Sequence, residues 1–247
     1  MTSHDGRPHH AEQGRPNDAP RRQLARVTRV VIVEDERLLA EMLTEVIAGE
    51  ADMLVVGVGD TVAAATALAS RQPDVVIMDF RLPDGTGAQA TRSIKARWAT
   101  ARVVMLSAMN DDETLMESIQ AGADGYLTKD SAIDDVVSAV RRAHAGEILL
   151  PPSVIGEIAR RVAEARASLL EQPRVERLTP RELAILRELA NGASTEEMCE
   201  RLSVTANTLR THTEHILHKL GVHSKLEAVV FGLRHGLLDI PHEHRAR

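Results

Sequence analysis

Five polar residues stand where apolar runs of strand length come to an end, and their types suit one kind of chemistry. Asp79 closes the run Val75, Val76, Ile77, Met78, with Pro73 before it and the turn-formers Pro83, Asp84, Gly85 and Gly87 after it. Glu34 and Asp35 follow the β-branched run at 27–33, Ser107 follows the run at 103–106, and Lys129 follows a short run ending at Leu127. Each of these alone reads as an ordinary solvated or salt-bridged strand end; together they form a set. Carboxylates held close repel one another unless a cation neutralises them. Oxygen ligands with positions left open for water and phosphate suit Mg²⁺. With an ion in place, Asp79 has the character of a nucleophile or ligand, and Lys129 and Ser107 are of the types that stabilise a transferred phosphoryl group.

These residues need a scaffold that brings strand ends together. Apolar runs at 27–33, 53–58, 74–79 and 103–107, and a short fifth one around 125–128, alternate with helical patterns at 38–48, 61–71, 88–98, 111–121 and 134–144. Asp60 is the expected N-cap of the second helix. Five βα repeats with right-handed crossovers predict a flavodoxin-like, doubly wound five-stranded parallel sheet with helices on both faces. In strand order 2-1-3-4-5 the ends of the first and third strands are neighbours at the switch point, so Glu34, Asp35 and Asp79 converge, flanked by Ser107 and Lys129.

The chain then changes character. Residues 147–176, with Pro151, Pro152 and Pro173, read as a partly helical linker. Thr179, Pro180 and Glu182 form a capping signature, Ser194 and Glu197 form another, and helical patterns follow at about 180–190, 194–202, 207–220 and 224–235. A tight turn at 203–205 between the second and third of these helices predicts an all-α helix-turn-helix domain over 177–241, followed by a short tail at 242–247. The third helix is the expected reader. Thr205, Asn207, Thr208, Arg210, Thr211, His212, Glu214 and Lys219 are the candidates for DNA contact, and Leu209, Ile216, Leu217 and Leu220 fall at core spacing. Glu214 would repel a phosphate but can accept from a cytosine amino group. His212, His215 and His218 recur every third residue, which is better read as a solvated face than as a metal site.

Bulk properties limit the alternatives. Residues 28–146 hold 11 basic against 19 acidic side chains, whereas 177–241 hold 8 of each and five of the 11 histidines. The acidic half suits a cation, and the second half lacks the net negative charge that would keep it from a phosphate backbone. Aromatics make up 2% of the chain, too few for the stacking platforms of single-strand binders. One cysteine, Cys199, allows no intrachain disulfide, and no apolar run approaches the length of a membrane span. A cytoplasmic protein without a membrane partner is expected, its residues 1–27 a disordered tail with no signal-peptide character.

On these residues and motifs, 28–146 resembles the receiver domain of two-component response regulators and 177–238 resembles the LuxR-type helix-turn-helix, so that the whole is similar to the NarL/FixJ family. The resemblance implies that Glu34 and Asp35 are the acidic pair holding Mg²⁺, that Asp79 is both ligand and phosphoacceptor, and that the backbone carbonyl of Phe80 completes the metal site. It also implies that Ser107 is the switch hydroxyl, Lys129 the phosphate-binding lysine and Tyr126 the rotating aromatic, Ser107 and Tyr126 moving inward on phosphorylation. Leu226, Val229, Val230 and Leu233 would lie on the dimerising helix. The implied partners are a sensor histidine kinase, double-stranded promoter DNA, a second copy of the chain and RNA polymerase. The implied function is a transcription factor, not an enzyme beyond transfer of a phosphoryl group to its own aspartate. Two other readings are weighed. A phosphatase with a strand-end aspartate nucleophile needs a second Asp two residues on, where this chain has Arg81. A regulator controlled by a ligand or partner instead of phosphate would not need Asp79, Ser107 and Lys129 as a set.

Overall fold

The computed structural model describes residues 27–108, 112–129, 133–150 and 177–238. The tail at 1–26, most of the expected linker and residues 239–247 lie outside the described residues. Five strands, β1 (Thr28–Val33), β2 (Met53–Gly59), β3 (Val75–Asp79), β6 (Arg102–Ser107) and β7 (Gly125–Thr128), form one parallel sheet in the order β2-β1-β3-β6-β7. This is the flavodoxin-like order expected. Helices α1 (Arg37–Ala48), α2 (Val62–Leu68), α3 (Gly87–Arg97) and α4 (Asp112–Gln120) make the crossovers, and α5 (Ile133–His144) follows the last strand.

Alternation along each strand sorts the apolar side chains to two faces. Val30, Ile32, Ile77 and Val104 pack with Leu43 and Ile47 of α1 and Val136 and Val140 of α5. Val31, Val33, Val76, Met78, Val103 and Met105 pack with Ala65, Ile94, Leu115 and Ile119 from α2, α3 and α4. Burial on both faces explains why β3 reads as an uninterrupted apolar run. The edge strand β2 carries a bulge: Val30 pairs with Val55 and Val31 with Gly57, leaving Val56 unopposed. Two details differ from expectation. Thr61, not Asp60, caps α2, its hydroxyl accepting from the Ala64 amide at 3.1 Å. A two-residue hairpin, β4 (Arg81–Leu82) with β5 (Gly85–Thr86), follows Asp79 and ends in the capping box of Thr86 and Gln89 that starts α3.

The C-terminal unit consists of α6 (Pro180–Ala190), α7 (Thr195–Leu202), α8 (Ala206–Leu220) and α9 (Lys225–Arg234). Capping boxes at Thr179–Glu182 and Ser194–Glu197 set the starts of α6 and α7 as the sequence predicts. Ser203 ends α7 in the left-handed conformation, φ 52°, and turns the chain into α8. Ile185, Leu186, Met198, Leu209, Ile216, Leu226 and Val230 fill the core.

Candidate functional site

The parallel register sets the ends of β1, β3 and β6 side by side, which gathers Glu34, Asp79 and Ser107 by backbone alone. Each of these three side chains is buried, and Asp35 beside them is exposed. One carboxylate oxygen from each of Glu34, Asp35 and Asp79 lies within 4.8 Å of the others, the geometry of a cation site. Lys129 follows β7, its amide donating to the Ser107 carbonyl at 2.8 Å. Its Nζ reaches back 2.7 Å to Glu34 Oε1 and 2.9 Å to Asp79 Oδ2. The Asp79 carboxylate also accepts from the Arg81 amide at 3.2 Å.

Electrostatics follow from that packing. Burial, with Asp79 beside it, pushes Glu34 up to about 7 although Lys129 pulls the other way. Burial raises Asp79 as well, again against Lys129. Burial disfavours the Lys129 ammonium, yet its hydrogen bonds to Glu34 and Asp79 hold it above the usual lysine range. The second oxygen of Glu34, Oε2, is buried with no hydrogen-bond partner, an arrangement that costs about 1–3 kcal/mol when nothing satisfies it. A cation among the three acids is the natural ligand for such an atom. The donor set is all oxygen, and the exposed Asp35 leaves a side open to water, which fits a hard divalent ion.

The structure qualifies three expectations. The Phe80 carbonyl accepts from the Gly87 amide at 2.8 Å, so one of its two lone pairs is already committed to the start of α3. Tyr126 is already inside, 1% exposed, so no inward swing is available to it from this state. Lys219 does not stand on the reading face: its ammonium lies 2.8 Å from the buried Glu182, with which it braces α8 against the start of α6. Burial works against the Glu182 carboxylate, but Lys219 and the Thr179 amide and hydroxyl hold it below the usual range.

On α8, Asn207, Thr208, Arg210, Thr211 and Glu214 are exposed and His212 is half-buried. Arg210 is held between Asn207 Oδ1, 2.9 Å away, and Glu214, 4.0 Å away. Thr205 caps the helix, its hydroxyl accepting from the Thr208 amide and lying 2.9 Å from the Thr208 hydroxyl. Leu226, Val229, Val230 and Leu233 of α9 are all buried within the chain, so pairing through them requires that they first be uncovered.

Sequence reasoning missed one buried group. Lys95 Nζ donates to Asp124 Oδ2 at 2.6 Å and to the Ala101 carbonyl, while Arg102 donates to Asp124 Oδ1 at 3.0 Å. Burial opposes the Asp124 charge, but Lys95 and Arg102 outweigh it and hold the carboxyl below its usual range. The only hint in the sequence is an aspartate placed directly before the short β7 run.

A doubly wound sheet with acids and a lysine at its strand ends, joined to a helix-turn-helix, defines a class of DNA-binding response regulators. Residues 30–141 match the response regulator receiver domain and residues 176–231 match the family described as bacterial regulatory proteins, luxR family. Over 212 residues the chain is 32% identical to the uncharacterized transcriptional regulatory protein YxjL of Bacillus subtilis, covering 85% of this chain and 97% of that protein. It is 31% identical over the same length to the response regulator protein VraR of Staphylococcus aureus, covering 85% and 99%. Among solved structures, a two-component response regulator of the LuxR family from Aurantimonas is similar at 29% identity and a TM-score of 0.50, covering 57% of this chain and 99% of that one. The chain therefore belongs to the NarL/LuxR family of response regulators, with a receiver domain and a LuxR-type DNA-binding domain.

Proposed function

We propose that the chain is a transcription factor switched by phosphorylation of Asp79, with a sensor histidine kinase as donor and double-stranded promoter DNA as target. The convergence of Glu34, Asp35, Asp79 and Lys129 at one sheet end carries this reading. Mg²⁺ would be held by Glu34, Asp35 and Asp79, where it supplies positive charge to the phosphoryl oxygens. An Asp79 carboxylate oxygen attacks the phosphorus of a phosphohistidine. The P–N bond breaks as the new O–P bond forms, and the departing imidazole takes up a proton. Lys129, already 2.9 Å from Asp79, keeps the nucleophile anionic and then pairs with the transferred group. Ser107, buried at the end of the adjacent strand, would hydrogen-bond a phosphoryl oxygen. The expected domains, a receiver over 28–146 and a helix-turn-helix over 177–241, divide the labour between signal and readout.

The activated chain pairs as a homodimer, presenting two α8 helices to half-sites about one DNA turn apart. RNA polymerase is the expected downstream partner, and the cytoplasm the expected compartment. No described helix is long and apolar enough to cross a membrane. The test is labelling by a small acyl phosphate in the presence of Mg²⁺, read as an added phosphate in the intact mass. Labelling should vanish in Asp79→Asn and in EDTA; labelling that persists in Asp79→Asn would remove Asp79 from the role.

A further inference from the structure

The hairpin that follows Asp79 is tied to a helix that precedes it in the chain. Leaving β3, the chain doubles back as β4 and β5, in which Arg81 pairs with Thr86 and Leu82 with Gly85. The base of this hairpin is closed. The Gly87 amide donates to the Phe80 carbonyl at 2.8 Å, and a Cβ on Gly87 would run into the Asp79 carbonyl oxygen. The return arm is fixed by Thr86, whose hydroxyl caps α3 and lies 3.3 Å from Glu117 of α4. At the tip, Asp84 reaches across to α2: Oδ1 accepts from the Val62 amide at 2.6 Å and Oδ2 from the Ala63 amide at 3.1 Å.

These two bonds serve the hairpin more than the helix. The start of α2 is already capped by its own Thr61, which takes the Ala64 amide, and the amides of Val62 and Ala63 lie where water can solvate them. A carboxylate with one oxygen on each of two successive helix amides makes a charge-assisted, two-point grip. The Val62 amide, with the Ala63 amide, holds the Asp84 carboxyl below its usual range, so the anion makes the grip. The helix is a firm anchor, since its Ala65 is buried in the core.

The grip reaches Asp79 through Arg81. The Asp79 carboxylate is held at both oxygens: Lys129 Nζ stands 2.9 Å from Oδ2, and the Arg81 amide donates to Oδ1 at 3.2 Å. A carboxylate pivots about one single bond, so holding each oxygen fixes the plane in which it presents its lone pairs. Lys129 is a flexible side chain that can follow the carboxylate. The Arg81 amide points where the hairpin points it.

We propose that Asp84 is a positioning residue for Asp79: by gripping the first two amides of α2 it fixes the hairpin, and the hairpin holds the Arg81 amide on Asp79 Oδ1. This rests on the phosphorylation reading for the reaction that the orientation serves, and not for the grip itself.

Two full-length variants separate positioning from capping. Asp84→Ala frees the hairpin tip and leaves two α2 amides to water, whereas Thr61→Ala removes the third cap from the same helix end without touching the hairpin. Thermal melts followed by Trp98 fluorescence check that both are folded. Deuterium exchange of single amides, read by NMR without phosphodonor, should be about tenfold faster at Arg81 and Gly87 in Asp84→Ala and within about twofold of the unmodified chain in Thr61→Ala. With saturating Mg²⁺ and acetyl phosphate, Asp84→Ala should label about tenfold more slowly than Thr61→Ala, since a misaimed nucleophile loses rate. Asp84→Asn, which keeps one acceptor oxygen, should give smaller changes of the same sign.

If Arg81 exchanges no faster in Asp84→Ala than in Thr61→Ala, Asp84 is only a cap and the proposal falls. It falls too if Arg81 loosens while labelling keeps pace with Thr61→Ala, because the orientation then has no bearing on the reaction. A loosened Arg81 in a chain whose unmodified parent takes no label would support the grip and sink the phosphorylation reading; a labelled parent with unchanged Arg81 exchange would do the reverse.

Discussion

Replacing Lys129 by Met tests the charge balance of the site without touching Asp79. In the native arrangement one ammonium serves two buried carboxylates, at 2.7 Å from Glu34 and 2.9 Å from Asp79. Removing one partner of a buried ion pair costs about 3–5 kcal/mol. The lower figure applies here, because Lys129 is partly exposed and because Glu34, already near 7, takes up a proton at neutral pH. For a receiver of about 120 residues the unfolding entropy is roughly 0.25 kcal/mol/K, so a loss of about 3 kcal/mol lowers Tm by about 12 °C. The assay is thermal unfolding at pH 7.5 followed by tryptophan fluorescence. The chain has a single tryptophan, Trp98, tied to the Pro73 carbonyl within the receiver, so the signal reports that domain. In EDTA the variant should melt about 12 °C below the unmodified chain, and 10 mM Mg²⁺ should restore at least about half of the difference, since a dication replaces the missing ammonium. A drop smaller than about 3 °C would refute the charge balance, and a full drop without recovery in Mg²⁺ would refute the cation site.

Glu34 predicts a pH dependence of its own. Its folded value of about 7 lies above the ordinary 4.5, so between those pH values the native state holds a proton that the unfolded chain has shed. Metal-free stability from this group therefore falls as pH rises from about 4.5 to about 7. Mg²⁺ must displace the same proton, so its affinity, read by calorimetric titration, should rise about tenfold between pH 5.5 and 6.5. Asp124 behaves oppositely: its depressed carboxyl contributes stability that is lost as pH falls below about 4, and Asp124→Ala should cost about 3–5 kcal/mol in denaturant melts by leaving Lys95 buried and unpaired. In the helix-turn-helix, Ser203→Gly should stabilise the domain by up to about 1 kcal/mol in the same melts, because Ser203 holds a left-handed conformation that glycine adopts without strain. Thr179→Ala should cost about 1 kcal/mol through loss of the α6 capping box.

The sheet and its order were legible because burial on both faces leaves an unmistakable mark. Runs such as Val75 to Met78 admit few interpretations, and strand ends fall within a residue or two of where turn-formers put them. Glu34, Asp79, Ser107 and Lys129 were legible for the same reason: a polar residue that stops an apolar run stands out. Backbone direction was not legible. Whether the Phe80 carbonyl faces the acids or the Gly87 amide depends on the hairpin that follows, whose two strands are too short to leave a periodic signal. Nor does a sequence say which lysine of an amphipathic helix is turned inward. Lys219 reads as a candidate DNA contact and Lys95 carries no signal at all, yet each is drawn to a buried acid, Glu182 and Asp124, distant in sequence. The burial of Val229 and Val230 followed the same logic, since an apolar helix face looks alike whether its cover is its own domain or another chain.

The bulge in β2 bears on how the molecule behaves in a crowded solution. As an outer strand β2 carries no charge and no proline, and Leu54 and Val58 are half exposed, which is the make-up of a strand that recruits copies of itself into growing sheets. Leaving Val56 unopposed breaks the even spacing of its free amides and carbonyls, so a second strand cannot zip along its whole length. At the other outer strand, β7, the Leu149 backbone occupies part of the edge by pairing with Gly125 and Tyr126. One extra residue in β2 thus keeps the protein from polymerising through its sheet.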